Sequence, residues 1–389
     1  SAANTGSFGL CINIPCVYDA VQIGYPHLGG AGACAGVKAL VASTEDYGNK
    51  IMTTANGDKK FITPIKGGVE VNAISATGWQ AATWATAASV DLADKGDGNI
   101  DFALSDMIPL AGIEDAANPG YAPLLVRMYP GTGVFSRSQY AGLADAEKFG
   151  ADAGPNFVLG AFRSGDNVTT VGGWNRASTP SFGDTAFLPV VVVAYAAGQP
   201  VSIMYVGDSR MDGANEVAAS KGYAGMAFKL QQQLTSAGIK NGIVRAAVSG
   251  MASTNYQQRG VKLLSAGLAP TIALYQLYTI NDGLPTANVL SAARYRCLAV
   301  IKQCQASGTT PVILTAFPKT GGHGANMAAL VALDAWTASI GVPYCSPLAT
   351  YGDTTGAWVG GVNYDSDHMT QAGYDDLATR LRALITPYI

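Results

Sequence analysis

From residue 200 onward, short apolar runs alternate with longer segments of helical spacing. The apolar runs are rich in β-branched residues, beginning with VSIMYV at 201–206. This alternation predicts right-handed βαβ crossovers and a parallel sheet covered on both faces, so we expect one three-layer α/β domain over residues 197–389. The predicted strands are 201–206, 242–248, 271–277, 311–317 and 342–344, and the predicted helices are 213–237, 254–266, 285–305, 325–339 and 370–385.

The preceding part of the chain has a different pattern. Over residues 46–196, short β-prone runs such as 123–129 and 188–195 are separated by clusters of Gly, Asn, Asp and Pro. This spacing predicts a β-rich accessory domain of the sandwich or jelly-roll type. The segment 196–200, AAGQP, is the expected joint. Residues 1–45 show no clear period, and we expect an irregular lead-in there.

The composition argues against a nucleic-acid partner and against a membrane span. Lys and Arg number 24 against 27 Asp and Glu, a net charge of −3, so no basic excess is available for nucleic acid. No apolar stretch approaches the ~20 residues of a membrane span. Charged residues are 13% of the 389, about half the usual share. Such a composition is typical of secreted proteins and phage virion proteins, so an extracellular or virion location is expected. The sequence gives no indication of oligomeric state.

The six cysteines do not follow zinc-site spacing, and no metal site is predicted. Their even number permits disulfides. Cys297 and Cys304 lie seven residues apart in a predicted helix, roughly 10 Å along its axis, and cannot bridge each other. Cys304 with Cys345 is the first pairing to test, and buried thiols are the alternative.

The first chemical signal is a serine at the end of the first predicted strand of the parallel sheet. The sequence Val206-Gly207-Asp208-Ser209 places this hydroxyl at the edge where open α/β sheets bind ligands. Backbone N–H groups of a following helix could stabilise an anion there. A Gly-Asp-Ser triplet alone is equally typical of an ordinary turn.

Three further motifs follow in order along the same domain. Ser249-Gly250 comes after the second strand, Asn281-Asp282 after the third, and Asp365-Ser366-Asp367-His368 before the last helix. We expect all of them at the same edge of the sheet. A serine, a glycine N–H, an asparagine amide and an Asp-x-x-His pair can therefore converge.

With these motifs, residues ~200–389 resemble the SGNH hydrolases, also called the GDSL esterase and lipase family. The resemblance implies a flavodoxin-like three-layer fold and a serine hydrolase mechanism without a cofactor. It assigns the nucleophile to Ser209, the base to His368 and the residue that orients the base to Asp365. It also implies an oxyanion hole formed by Ser209, Gly250 and Asn281.

The chain departs from the family pattern in three places, one of which is Met369-Thr370 after the histidine, where Pro or Leu and then Asn are usual. Thr279 stands where the third motif usually has glycine, and Arg210 follows the serine where an aliphatic residue is usual. Arg210 is therefore a candidate for substrate contact, as is Asp282. His323, in a Gly-rich loop, is either solvated or a further substrate contact.

The physical chemistry of these residues agrees with the resemblance. A serine hydroxyl needs a base within hydrogen-bond reach, and imidazole suits this work near neutral pH. The chain has three histidines, His27, His323 and His368. Of these, His368 alone has a carboxylate at short spacing, because Asp365 precedes it by three residues and can fix its tautomer. The neighbouring Asp367 is expected to point elsewhere.

These observations favour a serine esterase, and we expect an acetylated poly- or oligosaccharide as its substrate. Two alternatives stay open: a lipase or arylesterase with an apolar acyl pocket, and a virion or fibre protein that binds glycans without turnover. Aromatic residues between 46 and 196 could stack on sugars or form the core of that domain. They are Trp79, Trp84, Trp174, Tyr121, Tyr129 and Tyr140.

Overall fold

The chain forms two compact units, Ser1–Pro200 and Val201–Ile389. Each contains a hydrophobic core of its own. The division falls at the end of the Gly/Pro segment 196–200. The computed structural model describes residues 6–28, 32–45, 52–53, 59–61, 64–71, 73–96, 99–131, 158–164, 169, 174–175, 191–197, 200–212, 226–247 and 250–389.

The first unit is built from antiparallel strands. Its described strands are β1 Gly6–Ile14, β2 Ala20–Leu28, β3 Cys34–Ser43, β4 Met52–Thr53, β5 Lys59–Phe61, β6 Ile65–Lys66, β7 Val69–Glu70, β8 Gln80–Ala81, β9 Val90–Leu92, β10 Ile100–Leu104, β11 Ile108–Pro109, β12 Ala122–Tyr129, β13 Val158–Ser164, β14 Trp174–Asn175 and β15 Val191–Tyr195. One sheet has the order β13-β1-β12-β3-β8 with β9 also on β3, and another has β10-β2-β11 with β15 also on β2. The other described strands form a small sheet β14-β5-β4 and a hairpin β6–β7.

The two larger sheets share one core. Alternate residues of β2, β3 and β12 point into it, among them Ile23, Val41 and Val126, all fully buried. This period of two is that of strands with one face on a core. The prediction of a β-rich, sandwich-like unit is confirmed.

The expectation of an irregular lead-in over residues 1–45 is wrong. This segment supplies β1, β2 and β3, which lie inside the two larger sheets. Close packing requires small residues in these strands, and small residues weaken the alternation of large apolar and polar positions by which a strand is predicted. At Gly24, a Cβ would lie 2.5 Å from the Phe102 ring, so a larger residue would not fit.

The described aromatic residues of this unit belong mostly to its core. Trp79 is 2% exposed and Trp84 5%, and Tyr121 is buried too. The guanidinium of Arg127 lies 4.2 Å from the centre of the Trp79 ring. Sugar stacking by Trp79 or Trp84 is therefore ruled out in this structure. Tyr129 is half-buried, and Tyr140 and the side chain of Trp174 lie outside the described residues.

The second unit contains a five-stranded parallel sheet. Its strands are β16 Val201–Val206, β17 Asn241–Arg245, β18 Ile272–Gln276, β19 Thr310–Leu314 and β20 Tyr344–Cys345. Their order in the sheet is β17-β16-β18-β19-β20, the doubly wound order of flavodoxin-like folds, as predicted. The described helices are α1 Ser209–Asp212, α2 Met226–Ser236, α3 Ser253–Ser265, α4 Ala287–Ser307, α5 Met327–Ser339, α6 Pro347–Tyr351 and α7 Gln371–Ile385, with 3₁₀ turns at Ile280–Asp282, Gly324–Asn326 and Thr386–Tyr388.

Helices cover both faces of this sheet. On one face, Ile203 and Tyr205 of β16 share a core with residues of α2 and α7. On the other, Gly260 of α3 lies so close to Val206 that a Cβ would be 3.0 Å from its side chain. The three-layer prediction is confirmed, although α6 was not anticipated. Of the predicted helix 213–237, the described residues contain α2, and residues 213–225 lie outside the described part; the short helix α1 before them was not predicted.

The expected disulfide between Cys304 and Cys345 is not formed. Both are free cysteines. Burial raises the pKa of the Cys304 thiol to about 12 and that of Cys345 to about 11. Cys304 faces inward from α4, so the alternative of a buried thiol describes it correctly.

Gly24→Ala should destabilise the first unit, because the added methyl group would overlap the Phe102 ring and force the strands apart. We expect a cost of about 1–3 kcal/mol, the usual effect of overpacking a core. Thermal and urea unfolding of the full chain, followed by circular dichroism, measure it. The matched control is Gly242→Ala in β17, where a Cβ meets no atom within 4 Å. Equal stability of the two variants would contradict the packing argument.

Candidate active site

The end of β16 places Ser209 through a tight turn. Gly207 has no room for a side chain, since a Cβ there would lie 2.3 Å from the Met211 side chain and 2.7 Å from Gln276 Oε1. The Asp208 N–H donates to Gln276 Oε1 over 3.1 Å. Ser209 then begins α1 and is half-buried. The serine is thus fixed at the carboxyl edge of the sheet.

Ser209, His368 and Asp365 form a continuous hydrogen-bonded chain. The Ser209 Oγ lies 2.8 Å from His368 Nε2. On the other side of the ring, Nδ1 lies 2.8 Å from Asp365 Oδ2 and 3.0 Å from Oδ1. Because an ionised carboxylate only accepts hydrogen bonds, Nδ1 carries the proton and Nε2 can accept from the serine hydroxyl. The structure brings these three predicted residues together.

Asp365 is held in its ionised form by its own turn. Burial opposes ionisation, but the backbone N–H groups of Asp367 and His368 donate to Oδ1 over 2.8 and 2.7 Å. Together with the His368 side chain, these donors hold the pKa of Asp365 below its usual value. Asp367 makes no such contact with the ring: its carboxylate accepts from Ser366 Oγ.

Gly250 lies at the carboxyl side of β17 in a left-handed conformation, with φ of +76°. It is exposed, and a Cβ would meet no protein atom within 4 Å. The backbone conformation therefore explains this glycine, since φ values of this kind are strained for other residues. Ser249, its neighbour in the motif, lies outside the described residues.

Asn281 is linked to the loop that carries Gly250. Its Nδ2 donates to the Met251 carbonyl over 3.1 Å. An amide has two N–H groups, so one remains for a further acceptor. The side chain is exposed, which leaves that donor accessible.

Thr279, the departure from the usual glycine, is fully buried and connects two motifs. Its hydroxyl donates to the Asp208 carboxylate and accepts from the Asn281 N–H over 3.2 Å. The hydroxyl thus caps the 3₁₀ turn Ile280–Asp282. The usual glycine has no side chain at this position, whereas the Thr279 hydroxyl fixes the backbone beside Asn281.

Arg210 does not face substrate, so that prediction is wrong. The side chain is 2% exposed. Its Nε donates to the Asp367 carbonyl over 2.8 Å, and Nη1 lies 3.4 Å from Asp208 Oδ2. The guanidinium also lies 5.3 Å from the centre of the Phe317 ring. The first turn of α1 directs Arg210 into the unit, although it adjoins Ser209 in sequence.

The prediction of substrate contact is also wrong for Asp282. Its Oδ1 accepts from the N–H of Ser253, the first residue of α3, over 2.9 Å. Its Oδ2 lies 3.9 Å from Nη2 of Arg296. Asp282 therefore caps a helix, a common role for a carboxylate at a helix N-terminus.

Both predicted alternatives for His323, exposure to solvent and contact with substrate, are wrong, because the residue is buried. It is 5% exposed, and its Nε2 donates to the Phe317 carbonyl over 3.0 Å. Burial lowers its pKa, and the hydrogen bond to Phe317 opposes this shift. The imidazole packs against Gly356, where a Cβ would lie 2.7 Å from His323 Cδ2.

Gln276 is a site residue that the sequence analysis missed. It is fully buried at the end of β18, where it accepts from Asp208 and donates to the Tyr278 carbonyl over 3.2 Å. A signal existed: it is the one strongly polar residue in the apolar run 271–277. A buried amide needs hydrogen-bond partners to offset its loss of water, and here the partners are the Asp208 N–H and the Tyr278 carbonyl.

Within the described ranges, no three His, Cys, Asp or Glu side chains are arranged to hold a metal ion. No helix in this part of the chain is long and apolar enough to cross a membrane.

A hydroxyl, an imidazole and a carboxylate in this order and at these distances have the geometry of the Ser-His-Asp arrangement, which recurs on unrelated hydrolase folds. No family model matches the chain, and no curated protein matches it. The solved structures similar to it include a GDSL-like lipase from Bacteroides thetaiotaomicron, at 12% identity and a TM-score of 0.38, which covers 50% of this chain and 93% of that one.

Two further similar structures differ in how much of the chain they cover. The esterase EstA from Pseudoalteromonas sp. has 17% identity and a TM-score of 0.37, and covers 48% of this chain and 97% of its own. A Bacillus subtilis protein has 12% identity and a TM-score of 0.35, and covers 97% of this chain and 79% of its own. At such values, the roles of individual residues must be inferred from the geometry of this chain itself.

Thr279→Val should destabilise the second unit by about 1–3 kcal/mol, because the buried Asp208 carboxylate loses a donor while the side-chain shape is nearly kept. Thr279→Ser retains the hydroxyl and should cost much less. Thermal unfolding of the full chain measures both. If valine and serine had the same effect, the hydroxyl would not be the group that matters.

Proposed function

We propose that the second unit hydrolyses carboxylic esters with Ser209 as its nucleophile. The observation that carries this proposal is the hydrogen-bonded chain itself, with Ser209 Oγ 2.8 Å from His368 Nε2 and His368 Nδ1 2.8 Å from Asp365 Oδ2. An imidazole held in this tautomer is what activates a serine hydroxyl. The resemblance of residues ~200–389 to the SGNH hydrolases supports the same reaction.

In the proposed mechanism, Ser209 Oγ attacks the ester carbonyl while His368 Nε2 takes its proton. The imidazolium returns this proton to the departing alkoxide, which leaves as the alcohol, and an acyl-enzyme remains. Water then attacks the acyl-enzyme, again with His368 as the base. The imidazolium returns this proton to Ser209 Oγ as its bond to the acyl group breaks, and the carboxylic acid is released. Asp365, kept ionised by its turn, stabilises the imidazolium in both steps.

The negative oxygen of the tetrahedral intermediate needs hydrogen-bond donors, each typically worth ~3–4 kcal/mol. The proposed donors are the backbone N–H groups of Ser209 and Gly250 and the second Nδ2 hydrogen of Asn281. The exposure of Gly250 and Asn281 at the carboxyl edge supports this role, because both donors remain open to a ligand.

For the substrate class we propose O-acetyl esters of poly- or oligosaccharides, outside the cell or on a phage virion. The low charge of the chain and the β-rich first unit support this choice. The burial of Trp79 and Trp84 removes two of the expected stacking residues, so sugar binding by the first unit would depend on other side chains. A lipase or arylesterase and a glycan-binding protein without turnover are the competing possibilities.

A fluorophosphonate should label Ser209 covalently, and Ser209→Ala should abolish labelling and lower kcat on p-nitrophenyl acetate by ~10³-fold or more. Peptide mass spectrometry locates the label, and circular dichroism shows whether the variant keeps its fold. Label on a different serine would refute the assignment of the nucleophile.

The matched controls for this experiment are the two neighbouring carboxylates. Asp365→Asn should lower kcat by ~10²-fold or more, because an amide favours the wrong imidazole tautomer. Asp367→Asn leaves the ring contact unchanged and should cost far less. Similar losses in the two variants would mean that Asp365 does not orient His368.

The substrate class is tested by comparing p-nitrophenyl acetate, p-nitrophenyl octanoate and an acetylated xylan. We expect the acetyl ester to be cleaved faster than the octanoyl ester, and acetate to be released from the polysaccharide. Ser209→Ala provides the background. Faster cleavage of the octanoyl ester without release of acetate would favour a lipase. Glycan binding without any hydrolysis would favour the non-catalytic alternative.

A further inference from the structure

Arg210 connects the residue before Ser209 to the residue before His368. Asp208 directly precedes the serine, and Asp367 directly precedes the histidine. The Arg210 Nη1 lies 3.4 Å from Asp208 Oδ2, and Nε donates to the Asp367 carbonyl over 2.8 Å. We infer that Arg210 is a positioning residue that holds the imidazole of His368 within hydrogen-bond reach of Ser209. This inference rests on the proposed esterase function.

The Asp208 end of this connection is rigid. Asp208 is 1% exposed, and its Oδ1 accepts from the Arg210 N–H over 2.9 Å. Its Oδ2 accepts from Thr279, and its own N–H donates to Gln276. Asp208, which anchors the guanidinium, is therefore itself fixed to the end of β18 through Gln276 and to the loop after β18 through Thr279.

The other end is the turn that carries the proposed base. The Tyr364 N–H donates to the His368 carbonyl over 2.8 Å, and the Ser366 carbonyl accepts from the Thr320 N–H over 2.8 Å and from Trp358 Nε1 over 3.1 Å. These bonds tie it to the loops after β19 and α6. The bond from Arg210 ties it to the end of β16, where the serine lies.

The guanidinium is suited to this role by its shape. Its N–H groups point in fixed, different directions, so one side chain can donate to two acceptors at once. Nη2, at 3.8 Å from Asp367 Oδ1, has no hydrogen-bond partner among the described residues. The contact that matters at Asp367 is thus its carbonyl, which substitution of its side chain would leave in place. A lysine could keep the charge but not both contacts.

Burial separates this role from substrate binding. Arg210 is 2% exposed, and its guanidinium lies beside the Phe317 ring. A residue that held substrate would change KM when replaced. A residue that only sets the distance from Ser209 Oγ to His368 Nε2 should change kcat, and misplacement by about 1 Å can cost ~10²-fold.

The test compares Arg210→Lys, Arg210→Met and the double variant Asp208→Asn/Arg210→Met in the full-length protein. The double variant avoids leaving a buried carboxylate without its cation, which alone could unfold the unit. Measurements are kcat and KM on p-nitrophenyl acetate, the rate of fluorophosphonate labelling and the thermal unfolding temperature. The control is Arg380→Met, which breaks the exposed pair of Arg380 and Asp376 on α7.

We expect Arg210→Met and the double variant to lose ~10–100-fold in kcat and in labelling rate, with KM within about threefold of the wild type. Arg210→Lys should fall between them and the wild type, and Arg380→Met should match the wild type. A folded double variant with wild-type kcat, a change in KM alone, or failure of all Arg210 variants to fold would overturn the inference. Failure of the proposed function itself would look different: the wild type would neither hydrolyse the ester nor react with the label.

Discussion

The buried carboxylate of Asp208 is the constraint on which the geometry of the site depends. An ionised group out of contact with water is tolerated only when donors or cations surround it. Asp208 meets this need with the Thr279 hydroxyl, the Arg210 guanidinium and the Arg210 N–H. These donors come from the loop after β18 and from the turn after β16, so satisfying one charge brings together the segments that carry Asn281 and Ser209.

The network reaches the last motif through the main chain. Arg210 donates to the backbone carbonyl of Asp367, a contact that does not depend on the side chain at position 367. The conformation of the Asp365–His368 turn is fixed by hydrogen bonds within the turn, from the backbone N–H groups of Asp367 and His368 to the Asp365 carboxylate. Local hydrogen bonds therefore set the shape of the turn, and the buried arginine sets its distance from the sheet.

The second unit could be predicted well because its signals are regular. Short apolar runs alternate with helices that begin at strong caps, such as Thr286 before α4 and Thr370 before α7. Residues at the ends of parallel strands share an edge by topology, so Ser209, Asn281 and His368 could be grouped from order alone. The strands of residues 1–45 were missed because glycine and alanine occupy several of their positions. These small residues interrupt the period of two in large apolar side chains that predicts a strand.

Side-chain direction within the site was less predictable. Arg210 and Asp282 adjoin the motif residues Ser209 and Asn281 in sequence. The turns there direct both side chains inward, towards Asp367 and the start of α3. His323 lies in a glycine-rich loop that suggested contact with solvent or substrate, yet the residue is 5% exposed. Direction in a tight turn depends on partners distant in sequence, which a single sequence does not display.

The separation along the chain of the three hydrogen-bonded residues has a consequence for how this unit matures. Asp365 and His368 meet within one turn, whereas Ser209 lies 159 positions before the histidine. The carboxylate–imidazole pair can form as soon as the last segment leaves the ribosome, but the serine joins it only once the whole sheet has assembled. A label that reacts with Ser209 as the proposed nucleophile would therefore report when the segment that carries His368 has docked onto the sheet of the second unit.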